Sequence, residues 1–172
     1  DNLRFFHYDM NRVWKEVMDN YTFTAYDAAH STCGLGDMFD FCLATFKNPP
    51  KKPLKWHHTD LYPDFSVWGY NISTNRSLPG FTILEDVDER GFQTSVREFM
   101  PDGALMPSVK LIITTPPLYE KNSEYIVNDE YGTSITSRKT ILSDNAGRLK
   151  ITLNGGHHNI GINKAGDQPE LG

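Results

Sequence analysis

Apolar positions along this chain change their period near residue 50. Before it they recur at helical spacing. Val13, Trp14, Val17 and Met18 form one stripe, interspersed with charged Arg12, Lys15 and Glu16, and predict a short amphipathic helix over about 10–19. Tyr21-Thr22-Phe23-Thr24-Ala25-Tyr26 alternates aromatic with small or polar residues and predicts a strand. A loop over 27–35 follows. Met38, Phe39, Phe41, Cys42, Leu43 and Phe46 then mark a second, broadly apolar helix over about 36–47.

Asn48-Pro49-Pro50-Lys51-Lys52-Pro53 stops that helix, because proline removes backbone donors and restrains the residue before it to extended conformations. Beyond it, strand-like runs are punctuated by turn signals at roughly ten-residue intervals, the habit of a β-sandwich. The runs fall at about 65–73, 80–87, 92–99, 108–114, 123–128, 133–141, 148–153 and 157–163. Turns are marked by Asp88-Glu89-Arg90-Gly91, Met100-Pro101-Asp102-Gly103, Thr115-Pro116-Pro117 and Asp144-Asn145-Ala146-Gly147. The expected fold is mainly β: an immunoglobulin-like β-sandwich over 65–163, preceded by a helix-strand-helix segment over 1–48 and a Pro/Lys-rich linker over 49–64. Residues 164–172 read as a frayed tail. A single strand forms no sheet by itself, so Tyr21 to Tyr26 either pairs with the β domain or belongs to a longer protein.

Charge narrows the partners. The 172 residues carry a net charge of −5, which argues against a nucleic-acid surface, since such surfaces rest on clustered Lys and Arg. No apolar run approaches the ~18 residues that cross a bilayer, and Asp1-Asn2-Leu3-Arg4 does not open a signal peptide, so no membrane partner and no targeting address are expected. Cys33 and Cys42, the two cysteines, are too few for a disulfide framework and read as free thiols, Cys42 within an apolar helix face.

Candidate chemistry concentrates in Tyr26-Asp27-Ala28-Ala29-His30, a histidine on the loop between a strand and an amphipathic helix. Loops at the carboxyl ends of strands in open α/β sheets carry reactive groups, and a His there can serve as general base; a loop His also serves as a plain surface or capping residue. The order helix, strand, Ala29-His30-Ser31 loop, helix resembles the last βα unit of α/β-hydrolase-fold esterases, in particular the esterase-D or feruloyl-esterase-like group. Tyr62-Pro63-Asp64-Phe65-Ser66-Val67-Trp68-Gly69-Tyr70, followed by Pro79-Gly80-Phe81 and Gly91-Phe92, is similar to the region where some such hydrolases pass into an appended β-sandwich. The resemblance implies that His30 is the His of a Ser-Asp-His triad, that the sandwich is an accessory domain, that the substrate is an ester, and that the protein works outside the cytoplasm.

The chain also departs from that family. No Gly-x-Ser-x-Gly elbow occurs in it, Ala29 stands where a Gly is usual, and Asp9 reads as a helix N-cap rather than the acid of a triad. Without a nucleophile or oxyanion hole, His30 performs no acyl transfer, so the chain by itself is expected to be inactive; its expected partner is an upstream hydrolase domain of the same polypeptide, or a second copy that hides the apolar helix faces. The alternative is a non-catalytic carbohydrate-binding or interaction module. Its best candidates are Trp56 and Tyr62, aromatic residues in the linker able to stack on a sugar; Trp68 and Tyr70, at alternating positions, read as core.

His57-His58 with Asp60, and His157-His158, raise a metal reading. Neighbours on a strand face opposite ways, so each pair offers one imidazole to a site, and neither a metal nor any other cofactor is expected. Cys33 beside His30 raises a Cys/His pair, which three residues of one loop rarely orient productively. Glu85-Asp86-Val87-Asp88-Glu89 lacks the spacing of a calcium loop and reads as a solvated turn, and Arg97 as a strand charge able to meet an interdomain carboxylate.

Overall fold

A computed structural model describes residues 35–49, 51–100, 102–132 and 134–166. The chain divides into two compact units, residues 1–52 and 53–172. The predicted helix over 10–19, the strand over 21–26, His30 and Cys33 lie outside the described residues.

In the first unit, helix α1 (Leu35–Lys47) forms where the apolar spacing predicts it. It ends on Lys47, whose charge suits the helix C-terminus, and Asn48 N–H closes the last turn on Ala44 O at 2.9 Å, just ahead of the prolines. Phe39, Leu43 and Phe46, spaced by four and three residues, form an exposed stripe, and Cys42 is half-buried.

The described residues of the second unit form ten strands: β1 (Trp56–Asp60), β2 (Asp64–Val67), β3 (Tyr70–Thr74), β4 (Phe81–Val87), β5 (Gly91–Arg97), β6 (Met106–Thr114), β7 (Glu124–Tyr131), β8 (Ser134–Leu142), β9 (Lys150–Gly155) and β10 (His158–Lys164). They form a six-stranded sheet in the order β1-β4-β5-β10-β7-β8 and a four-stranded sheet in the order β2-β3-β6-β9, and every pairing is antiparallel. Period-two burial explains the sandwich. Ile72, Leu111, Ile113 and Ile151 of the small sheet face Leu84, Phe92, Val96, Val127 and Ile160 of the large one in a single buried cluster.

Two sequence expectations change. The run over 65–73 is a hairpin, β2 and β3, because Trp68 and Gly69 adopt φ of 49° and 85°. Positive φ at both central residues gives the two-residue turn whose twist suits paired strands. Tyr70 is core as expected, whereas Trp68 sits exposed in the turn. The expected linker over 49–64 also shrinks, since the units divide at Lys52 and Pro53 and residues 56–60 pair with β4 as a strand. That register carries a bulge: Trp56 faces Val87 and His58 faces Leu84, so Glu85 and Asp86 oppose His57 alone. Asp86 takes a φ of 53°, and its N–H donates to His57 Nδ1 at 3.2 Å.

The six-stranded sheet is wider than its partner. β5 lies over β6 and β9, so the large sheet runs on through β10, β7 and β8 while the small one ends at β9. The inner face of β8 therefore overhangs the small sheet's edge.

Candidate functional sites

Two clefts in the second unit bring chemistry-bearing side chains together. The first, about 500 Å³, lies between the segment after β1 and the loop joining β3 to β4, and is lined by Leu61, Tyr62, Pro63, Arg76, Leu78 and Phe81 among others. Arg76 holds the two segments together: its guanidinium donates to Gly80 O at 2.5 Å and to Leu61 O at 2.6 Å. Burial draws Arg76 below the usual guanidinium range, and the Asp60 and Asp64 carboxylates oppose that. Tyr62 N–H donates to Asp60 Oδ1 at 2.8 Å, which sets the backbone and leaves the ring free. Tyr62 is 64 % exposed, beside exposed Leu61 and Leu78. A ring so placed can stack on an apolar ligand face.

Trp56 does not share this site. It is 3 % exposed, packed in the core against Tyr70, and cannot serve as the exposed platform expected for it. Its position on β1 turns the indole inward once β1 joins the sheet.

The second cleft, about 330 Å³, lies between β8 and β9. At one end His158 Nδ1 meets Asp129 Oδ2 at 2.6 Å and Nε2 meets Asn154 Oδ1 at 2.9 Å. Asn154 Oδ1 also accepts from Gly156 N–H at 2.7 Å, which fixes that atom as an acceptor, and Asp129 Oδ1 accepts from Asn159 N–H at 3.2 Å. Both imidazole nitrogens thus face acceptors. Although Ser137 lines the same cleft, His158 has no lone pair aimed at it and cannot act as its base without breaking one of these bonds. The cluster fixes the β9–β10 connection; it is not a catalytic dyad.

The remaining candidates have structural roles. His58 Nε2 meets Asp60 Oδ2 at 3.3 Å, His57 caps the bulge, and His157 is exposed. Among the described residues no three His, Cys, Asp or Glu side chains converge as metal ligands would. Within the acidic run, Asp88 Oδ1 accepts from Arg90 and Gly91 N–H at 2.7 and 3.1 Å, and Asp86 pairs with Lys55 at 3.0 Å, an arrangement that builds a turn. Among the described residues Arg97 meets no carboxylate, and its guanidinium donates to Gly103 O at 2.8 Å within its own hairpin. Arg76, Leu78 and the Asp129–His158 pair had no signal in sequence, since each acquires its role through a contact made by a loop or a strand pairing.

No family model, curated protein or solved structure matches this chain.

Proposed function

We propose that this chain is the C-terminal region of a serine ester hydrolase, in which residues 1–48 close an α/β-hydrolase fold and the sandwich, of the immunoglobulin-like kind, is a non-catalytic accessory domain. The observation that carries the reading is the division at Lys52 and Pro53 into two compact units, at the Pro/Lys segment that separates the helix-strand-helix part of the sequence from the stretch over 62–70 that resembles the passage into a sandwich. The engaged hydrogen bonds of His158 support it too, since they leave the sandwich's best histidine unavailable for general-base work. In this reading His30 takes the proton of a serine hydroxyl supplied by a hydrolase domain of the same polypeptide and returns it to the leaving group. The extracytoplasmic setting belongs to the same reading.

The test is hydrolysis of a short-acyl chromogenic ester by this chain and by the longest polypeptide its reading frame encodes. Activity confined to the longer protein and abolished there by His30→Ala is expected. Activity that survives His30→Ala, or none in either protein, overturns the reading.

A second reading, a carbohydrate-binding module, is favoured by the exposed Tyr62 ring beside a cleft of about 500 Å³. Depletion of the protein from solution by insoluble polysaccharides, lost in Tyr62→Ala, is its expected signature. Equal depletion of wild type and variant overturns it.

A further inference from the structure

We propose that the cleft between β8 and β9 takes an extended acidic peptide strand, which adds to the edge of β9 that no other strand among the described residues pairs with, beneath the overhanging β8. This is independent of whether the chain belongs to a hydrolase.

The first ground is topology. The four-stranded sheet ends at β9, and an edge strand presents backbone N–H and C=O groups that a further strand can pair with. The large sheet continues past that edge, so the place a fifth strand would occupy is already roofed by β7 and β8. Val127, Ile151 and Ile160 give the cleft an apolar floor.

The second ground is charge. Although the chain carries a net −5, β8 and β9 contain Arg138, Lys139 and Lys150 and no acidic residue. Among the described residues none of these three cations forms an ion pair, and Asp129, the acid of the cleft, is engaged by His158. Lys139 lines the cleft between Ser137 and Ile141 on the same face of β8. A strand beneath them presents side chains at the same two-residue period, so an acid opposite Lys139 flanked by aliphatic residues matches the wall.

The same cations decide against a second copy of this chain as the occupant. Neither β8 nor β9 of a second copy carries an acidic residue to meet Lys139, and antiparallel pairing of β8 with itself sets Arg138 against Arg138, the device by which sheet edges resist self-association. A partner polypeptide with an acidic, aliphatic extended segment meets no such barrier.

The probe is a capped heptapeptide, Thr-Val-Thr-Glu-Thr-Val-Thr, titrated into the full chain and followed by amide NMR. Saturable shifts centred on Ile151, Thr152, Leu153 and Asn154, with slowed exchange of β9 amides, are expected. Lys139→Glu, a change at an exposed position, should weaken binding roughly tenfold and should favour the peptide carrying Lys in place of Glu. Methylating alternate peptide nitrogens should abolish binding, because strand addition uses backbone donors. The proposal is overturned by an absence of saturable shifts up to about 5 mM, by indifference to N-methylation, or by indifference to Lys139→Glu. Displacement of nothing but a small amphiphile such as decanoate would identify a lipid-type cleft and overturn it equally.

Discussion

Trp56 meets Tyr70 edge-on, with ring centroids 5.3 Å apart and ring planes at 72°, and the pair joins the first strand of the large sheet to the hairpin strand of the small one. Offset aromatic contacts of this kind add to the free energy of burial itself. The contact turns a residue in a proline-rich stretch into part of the core.

Removing that anchor is therefore costly. Trp56→Ala is expected to destabilise the second unit by about 3–5 kcal/mol, the range for a large aromatic deleted from a core. Tyr62→Ala, six positions on but exposed, should stay within about 0.5 kcal/mol. Urea unfolding of both variants checks this, and equal losses would contradict the burial difference.

Stability should decline on the alkaline side. Burial, with Asp88 and Glu89 adding to it, pushes the Tyr70 phenol up to about 12, and burial raises Tyr119 beyond the usual phenol range. A raised folded-state value means that the stability is whole below the unfolded value of ~10 and is lost as the pH rises through the folded one. The decline should begin near pH 10, and Tyr70→Phe with Tyr119→Phe should flatten it. At the acid end the sign reverses. The Arg148 N–H, helped by that of Ala146, holds the exposed Asp144 carboxylate below the usual Asp range, so its contribution is present at and above that range and lost as the pH falls below it through the lower folded-state value. Asp144→Asn should remove that part of the acid dependence.

Two glycines separate backbone strain from collision. Gly147 and Gly132 have φ of 78° and 61°, both left-handed. A Cβ at Gly147 would strike Tyr119 O, whereas one at Gly132 would meet nothing within 4 Å. Gly132→Ala should cost about 1–2 kcal/mol, the left-handed backbone penalty alone. Gly147→Ala should cost distinctly more, because Tyr119 N–H also donates to Gly147 O at 3.0 Å and cannot readily withdraw. Thermal or urea unfolding of the pair reads the difference directly.

Breaking the polar cluster should be felt in folding. Asp129→Ala leaves His158 Nδ1 and Asn159 N–H without their acceptor, and at least about 1–3 kcal/mol is expected to be lost. Ser137→Ala, in the same cleft, should be nearly neutral, since no hydrogen bond of the cluster depends on it. A comparable loss in Ser137→Ala would point to a coupling that the hydrogen bonds do not contain.

From sequence alone, the all-β character of the second unit and the approximate places of seven of its strands were legible, because alternation and turn chemistry are local properties. β4 through β10 lie where the runs between Asp88-Gly91, Pro101-Gly103 and Asp144-Gly147 put them. The exposure of Tyr62 was legible too. The strand over Trp56–Asp60 was not, since Trp-His-His-Thr-Asp has no apolar alternation and becomes a strand through its pairing with β4. Burial of Trp56 follows from that pairing. Asp129 and His158, 29 positions apart, meet only because β10 pairs with β7 and sets Ile160 opposite Asp129. The cleft over β9 depends on the two sheets having unequal numbers of strands. Such features arise from which strands lie side by side, a long-range choice settled by the packing of the whole core, and no local stretch of sequence encodes it.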